Sequence, residues 1–167
     1  MIVDDAVKML NRTHHVIFNH HRPQRIENIP DGTERLILGQ HCHKKLENLP
    51  SSLKVFRADY GTDRLENLPD GLLVFKITEE SGTLKLENLP KCLEVLELPM
   101  CNLRKLENLP DSLKKLKLTR SGIRKLENLP NGLTDLNIRV SLITKLEGLH
   151  VSLIKLNCEY GRMNGCM

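Results

Sequence analysis

Tryptophan is absent from this 167-residue chain, and two Tyr and three Phe bring the aromatic share to only 3%. A core of ordinary size must then be filled almost wholly by aliphatic side chains, with leucine in the leading role. No stretch approaches the ~18 consecutive apolar residues of a membrane-crossing helix, so no membrane is expected among the partners. The opening residues MIVDDAVKML carry Asp4 and Asp5 where a secretory signal has a basic start and an apolar run, which predicts an intracellular, cytoplasmic protein. Charge of one sign is scarce too: 25 basic and 21 acidic residues leave +4, too mild an imbalance to mark a polyanion binder by itself. Glycine-rich phosphate loops and nucleophile elbows are missing, and no acidic pair stands out. An enzyme is therefore not expected, and neither is a cofactor or a small-molecule substrate.

What the chain does contain is a repeat. A segment reading LENLP or a near relative begins at Ile26, Leu46, Leu65, Leu86, Leu106, Leu126 and Leu146, in steps of 20, 19, 21, 20, 20 and 20 residues. Counting from the first residue of each segment, the unit reads L-E-N-L-P-x-x-L-x-x-L-x-L-x-x-x-x-L-x-K, with apolar residues at positions 1, 4, 8, 11, 13 and 18. Position 18 is regular only in the later units, since His43 and Asp63 occupy it in the first two, and Thr33 is the only polar residue at position 8.

Alternation at positions 11 and 13 predicts one short strand per unit, which has no partner within its own unit and must pair with its neighbours. Stacking then closes the leucine columns against one another and makes the array cooperative. Upstream, Val16-Ile17-Phe18 falls at positions 11 to 13 of a degenerate unit and predicts an eighth strand. Residues 2–11, with Ile2, Val3, Ala6, Val7 and Leu10 on one face, read as a short amphipathic helix capping the first column. The expected organisation is thus an N-terminal cap at 1–25, seven repeats over 26–163 and a tail at 164–167. After Leu156 and Cys158 only Glu159 to Met167 remain, so the last strand is expected to present an open edge.

The run Leu113-Lys114-Lys115-Leu116-Lys117-Leu118, followed by Ser121 and Ile123, matches LxxLxLxxNxL everywhere except at Asn, and so resembles the leucine-rich repeat family. The resemblance covers residues 26 to 163. The 20-residue period with LP is most similar to the short class of secreted bacterial effectors, and also to the FNIP-type repeats of amoebae and their giant DNA viruses. It implies a mainly β solenoid with about eight short parallel strands on a concave face. Twenty residues leave no room for a full convex helix, so the return path is expected to be extended or 3₁₀-like, with turns at Pro followed by Asp-Gly, Asp-Ser or Asn-Gly. The family's Asn column is replaced here by His41, Gly61, Glu80, Cys101, Ser121, Ser141 and Gly161. Asn at position 3, from Asn28 to Asn128, is the more regular amide column and is expected to tie the convex turn instead. Neither the catalytic-Cys ubiquitin-ligase domain of the effectors nor an F-box before the first unit is expected here.

The resemblance also implies that the concave face binds partners, through positions 10, 12 and 14. Val55, Val74 and Val95 at position 10 form a short apolar stripe, with Arg57, Lys76, Glu97, Lys115 and Lys117 around it and Tyr60 and Met100 behind. An apolar centre with a charged rim is what a protein contact needs. Valine is also simply a good strand former. Lys114, Lys115, Lys117 and Arg120 make a basic patch, but without interleaved aromatics nucleic acid is not expected as a partner.

Other patterns read as structural. The residue before each unit is basic (Arg25, Lys45, Arg64, Lys85, Lys105, Lys125, Lys145) and position 2 is always Glu, two adjacent columns of opposite sign that neutralise each other. Five cysteines occupy five different places, which excludes a disulfide ladder and predicts reduced thiols, with Cys166 the reactive one. The sequon Asn11-Arg12-Thr13 matters only in a secreted protein. His14, His15, His20, His21, His41 and His43 cluster around Cys42, and His21 and His41 share position 16. A shared divalent metal there competes with a wetted polar rim, and no metal is assigned. The function expected is a non-enzymatic module binding a host protein or an assembly neighbour. The alternative is a cement or scaffold subunit of a larger particle, such as the capsid of a giant DNA virus.

Overall fold

The computed structural model describes residues 15–18, 29–39, 48–60, 68–80, 88–101, 103–139, 143, 149 and 152–158. They form one parallel sheet whose strands follow chain order: β1 His15–Phe18, β2 Arg35–Leu38, β3 Val55–Tyr60, β4 Val74–Glu80, β5 Val95–Glu97, β6 Lys115–Lys117, β7 Asp135–Asn137 and β8 Lys155–Asn157. Strand neighbours in space are therefore repeat neighbours in sequence, the arrangement of a solenoid. Pairing is in register, so that Val16, Leu36, Phe56, Phe75, Leu96, Leu116, Leu136 and Leu156 run across the sheet as one row. Val16 to Phe18 is indeed the eighth strand. The helix expected at 2–11 lies outside the described residues.

The period-2 pattern turns positions 11 and 13 to one side, where position 8 joins them. Leu53, Leu72, Leu93, Leu113 and Leu133 at position 8 are buried, as are Leu38, Ala58, Ile77, Leu98, Leu118 and Ile138 at position 13. The only described aromatic contact in this aliphatic core is Phe56 on Phe75, stacked at 5.5 Å between centroids with planes 3° apart. Thr33 fits among leucines because its Oγ1 donates to the Pro30 carbonyl at 2.7 Å, which leaves no bare hydroxyl in an apolar layer.

Six of the eight strands, β2 to β7, are entered through the same turn. The amide at position 8 donates to the carbonyl of the proline at position 5 in six units, from Thr33 on Pro30 to Leu133 on Pro130. Two residues earlier, Asn48, Asn88, Asn108 and Asn128 have φ of 57°, 56°, 56° and 59°. This left-handed conformation is one that Asn tolerates better than other side chains, so position 3 serves the backbone bend rather than acting only as an amide tie. Hydroxyls also staple coil to coil: Ser52, Ser112 and Ser152, all at position 7, donate to the carbonyls of Thr33, Leu93 and Leu133 at 2.8, 2.8 and 3.1 Å. The return stretches 103–109 and 121–129 contain no helix and no strand, only irregular chain with bends.

The uneven steps in the period have a local resolution. Val55 to Val74 spans 19 residues and Val74 to Val95 spans 21. Ala58 faces Ile77 but Tyr60 faces Glu80, so two residues of β3 oppose three of β4 and a bulge absorbs the extra one. Register is restored by β5, with Phe75 opposite Leu96.

Candidate functional site: the exposed strand face

Positions 10 and 12 point away from the core. Val55, Val74 and Val95 stand directly opposite one another on β3, β4 and β5 and are half-buried. The stripe extends further than position 10 alone indicates. Ile37, half-buried, and Ile17, 43% exposed, occupy position 12 on β2 and β1, on the same face. Reading position 12 through the degenerate first unit would have found them.

Around the valines the charges are organised by strand pairing. Glu97 lies between two lysines, with its Oε1 at 3.0 Å from Lys76 Nζ and 3.2 Å from Lys115 Nζ. Partial burial, the largest influence on this carboxyl, pushes its pKa up, but the hydrogen bonds and positive charges of Lys76 and Lys115 together outweigh it and hold the group below its ordinary value. Lys114 is paired with Glu94 at 2.7 Å. The basic patch expected from Lys114, Lys115, Lys117 and Arg120 is only partly neutralised within the protein: Lys114 pairs with Glu94, Lys115 shares Glu97 with Lys76, and Arg120 Nη1 donates to the neutral Met100 Sδ at 3.6 Å and keeps its charge. Lys117 and Arg57 have no ion pair among the described residues. Of the residues expected behind the stripe, Tyr60 ends β3, while Met100 follows β5 in a left-handed turn with φ 48°.

The other sequence features are placed as follows. Lys105–Glu107 and Lys125–Glu127 pair locally, two residues apart across the start of a unit, at 3.7 and 3.3 Å, and they line a cleft of about 490 Å³ together with Arg104 and Arg124. All four side chains are well exposed, so each pair contributes little to stability. Cys92 is exposed, Cys101 buried and Cys158 half-buried, and all three are free thiols. Burial pushes the Cys101 thiol up, against backbone hydrogen bonds that lower it, so the thiol stays protonated at neutral pH. Cys42, Cys166, the sequon and every histidine of the early cluster except His15 lie outside the described residues. Among the described residues no group of three His, Cys, Asp or Glu is placed to hold a metal ion, and no helix is long and apolar enough to cross a membrane.

No protein-family model matches this chain, and no curated protein matches it. Among solved structures it is similar to YopM from Yersinia enterocolitica WA-314, with 28% sequence identity and a TM-score of 0.62. The match covers 76% of this chain but only 28% of that one. With the parallel, in-register sheet, this similarity supports a leucine-rich-repeat-like fold.

Proposed function

We propose that this chain is a non-enzymatic recognition module that holds a protein partner on the strand face centred on Val55, Val74 and Val95. A leucine-rich-repeat-like solenoid is suited to protein interaction, since its stacked strands present a broad, stiff surface. The observation that carries the reading is the in-register valine stripe, set in a frame of ion-paired and unpaired charges. Binding surfaces of proteins combine such an apolar centre with a polar rim. We assign the repeats to the short 20-residue LP class, similar to the FNIP type, with units over 26–163 and a cap over 1–25, working inside the cell.

Val74→Asp tests this reading. It places a charge in the middle of the stripe while leaving the core-facing Phe75 untouched. The expected outcome is loss of partner capture from the native source, with stability lowered by about 1 kcal/mol, or roughly 2–4 °C in melting temperature. Capture that survives the substitution counts against the assignment.

A second reading, the scaffold or cement subunit, is favoured by β8, the final strand among the described residues. Ile154 is 86% exposed and Leu156, from the row that is otherwise buried, is 37% exposed. An apolar strand edge of this kind is a surface for assembly. Recovery of the protein in soluble fractions and never in purified particles would rule it out.

A further inference from the structure

We infer that the segment held on this face is acidic as well as apolar: aliphatic side chains seated on Val55, Val74 and Val95, with carboxylates on either side meeting Arg57 and Lys117. The inference rests on the proposed reading of the face as a protein interface and adds the chemistry of what it binds.

The charge census of the face is the first observation. From β2 to β8, positions 10 and 12 carry six basic side chains (Arg35, Arg57, Lys76, Lys115, Lys117, Lys155) and two acidic ones (Glu97, Asp135). The resulting excess of four positive charges equals the formal net charge of the whole chain, +4. The mild basicity of the sequence is therefore concentrated on one surface.

The second observation is which cations remain uncompensated. The Glu97 carboxylate is shared by Lys76 and Lys115. Lys117 sits directly opposite Glu97 in the register but has no ion pair with it. At the other side of the valines, Arg57 is exposed and faces Lys76, a like charge, across the strand pair. The acidic residue next along its strand face, Asp59, accepts a hydrogen bond from Thr78 Oγ1 at 2.8 Å. Arg57 on β3, two residues beyond the first valine, and Lys117 on β6, one strand beyond the last, thus stand at the two ends of the valine stripe as cations awaiting a counter-charge, with exposed Arg35 opposite Val55 on β2 adding a third positive charge at the β3 end. Three strand spacings separate Arg57 from Lys117, about 14 Å. An extended segment crossing the strands at ~3.4 Å per residue would bridge them with acidic residues about four positions apart. No Phe, Tyr or Trp occupies position 10 or 12 on any strand, so the face lacks the stacking platforms that single-stranded nucleic acids use.

A displayed library of random peptides, selected in parallel on the wild-type protein, on Val74→Asp and on the double variant Arg57→Glu/Lys117→Glu, tests the inference. Wild type should enrich peptides with acidic residues bracketing aliphatic ones, the charge-reversed protein should enrich basic residues in those places, and Val74→Asp should enrich neither. Wild-type peptides without an acidic bias, or an unchanged consensus on the charge-reversed protein, would overturn the acidic chemistry while leaving the interface standing. Enrichment that is indifferent to Val74→Asp would overturn the interface itself. Because charge reversal can disturb folding, the milder pair Arg57→Gln/Lys117→Gln is titrated with one enriched acidic peptide, and a loss of roughly tenfold or more in affinity is expected. Equal affinity would sink the inference. A single-stranded oligonucleotide that bound more tightly than any peptide, and was released by the glutamine pair, would overturn it in favour of nucleic acid.

Discussion

Leu116 and Leu156 hold the same place in the repeat and the same row of the sheet, yet Leu116 is wholly buried and Leu156 is 37% exposed. Their neighbours differ in the same way: Leu113 is buried, whereas Leu153 is only partly so. The two coils have nearly the same aliphatic residues, so intrinsic hydrophobicity does not explain the difference. A leucine in β6 is covered by the coil before it and the coil after it, while one in β8 has, among the described residues, a paired strand on one side only. In this molecule a residue's contribution is set by its two neighbours in the stack rather than by its own unit.

Truncation is the most direct way to break that comparison. Leu116→Ala removes a side chain with no exposed surface and should lower the unfolding free energy by about 3 kcal/mol, within the 2–5 kcal/mol common for buried leucines. Leu156→Ala should cost less than about 1 kcal/mol, because part of its surface is already in water and the site can relax. Urea unfolding of the two variants checks the pair. Equal losses would mean that the end coil is as constrained as the middle.

The interior coils were legible in the sequence because a fixed period converts directly into register. Positions 8, 11 and 13, the strand at Val16–Phe18 and the alignment of Val55, Val74 and Val95 all follow from counting. Counting also shows that one unit is short and the next long, but it does not locate the surplus residue, which lies in the bulge beyond Ile77 on β4. Charge pairing is less legible than register. Along the chain Lys114 to Arg120 looks like a basic run, because its carboxylates, Glu94 and Glu97, are 20 and 18 residues back from Lys114 and Lys115. Glu94 and Lys114 share position 9, so the register contains that pair; Lys115 reaches Glu97 diagonally, which no single column displays. Asn at position 3 was visible as a column, but its left-handed φ is a backbone property with no side-chain signature.

Asn108 sharpens the comparison at the next level of effect. Its φ of 56° makes alanine unfavourable there, and Asn108→Ala should cost about 1–2 kcal/mol. Asn108→Gly should be tolerated, and the last unit already carries glycine at this position, Gly148. Thermal melts that rank Ala below Gly and Gly level with Asn would match. The reverse order would assign the residue's value to its amide.

Glu97 tests the same dependence on neighbours through pH. Its folded pKa lies below the ordinary value near 4.5, so its stabilising contribution is fully present above that value and is lost as pH falls through the lower, folded value. Glu97→Gln should therefore cost roughly 1 kcal/mol at neutral pH, with the difference from wild type closing under acid conditions. Melting curves taken across that range decide it. A gap independent of pH would show that the pairs with Lys76 and Lys115 contribute nothing.

The smallest effect expected is a gain. Ser121, in an interior coil, is 5% exposed, and its Oγ has no hydrogen-bond partner. Enclosure by neighbouring coils, which stabilises Leu116, penalises a hydroxyl that would be harmless if wetted at the end of the stack. Ser121→Ala removes that group at little loss of volume and should raise stability by up to about 1 kcal/mol. Ser112→Ala is the control, since its hydroxyl donates to the Leu93 carbonyl at 2.8 Å and its removal should destabilise by a similar amount. If both substitutions destabilise in urea titrations, the Ser121 hydroxyl is satisfied in solution, and burial by neighbouring coils does not exclude water as completely at position 16 as it does along the leucine row.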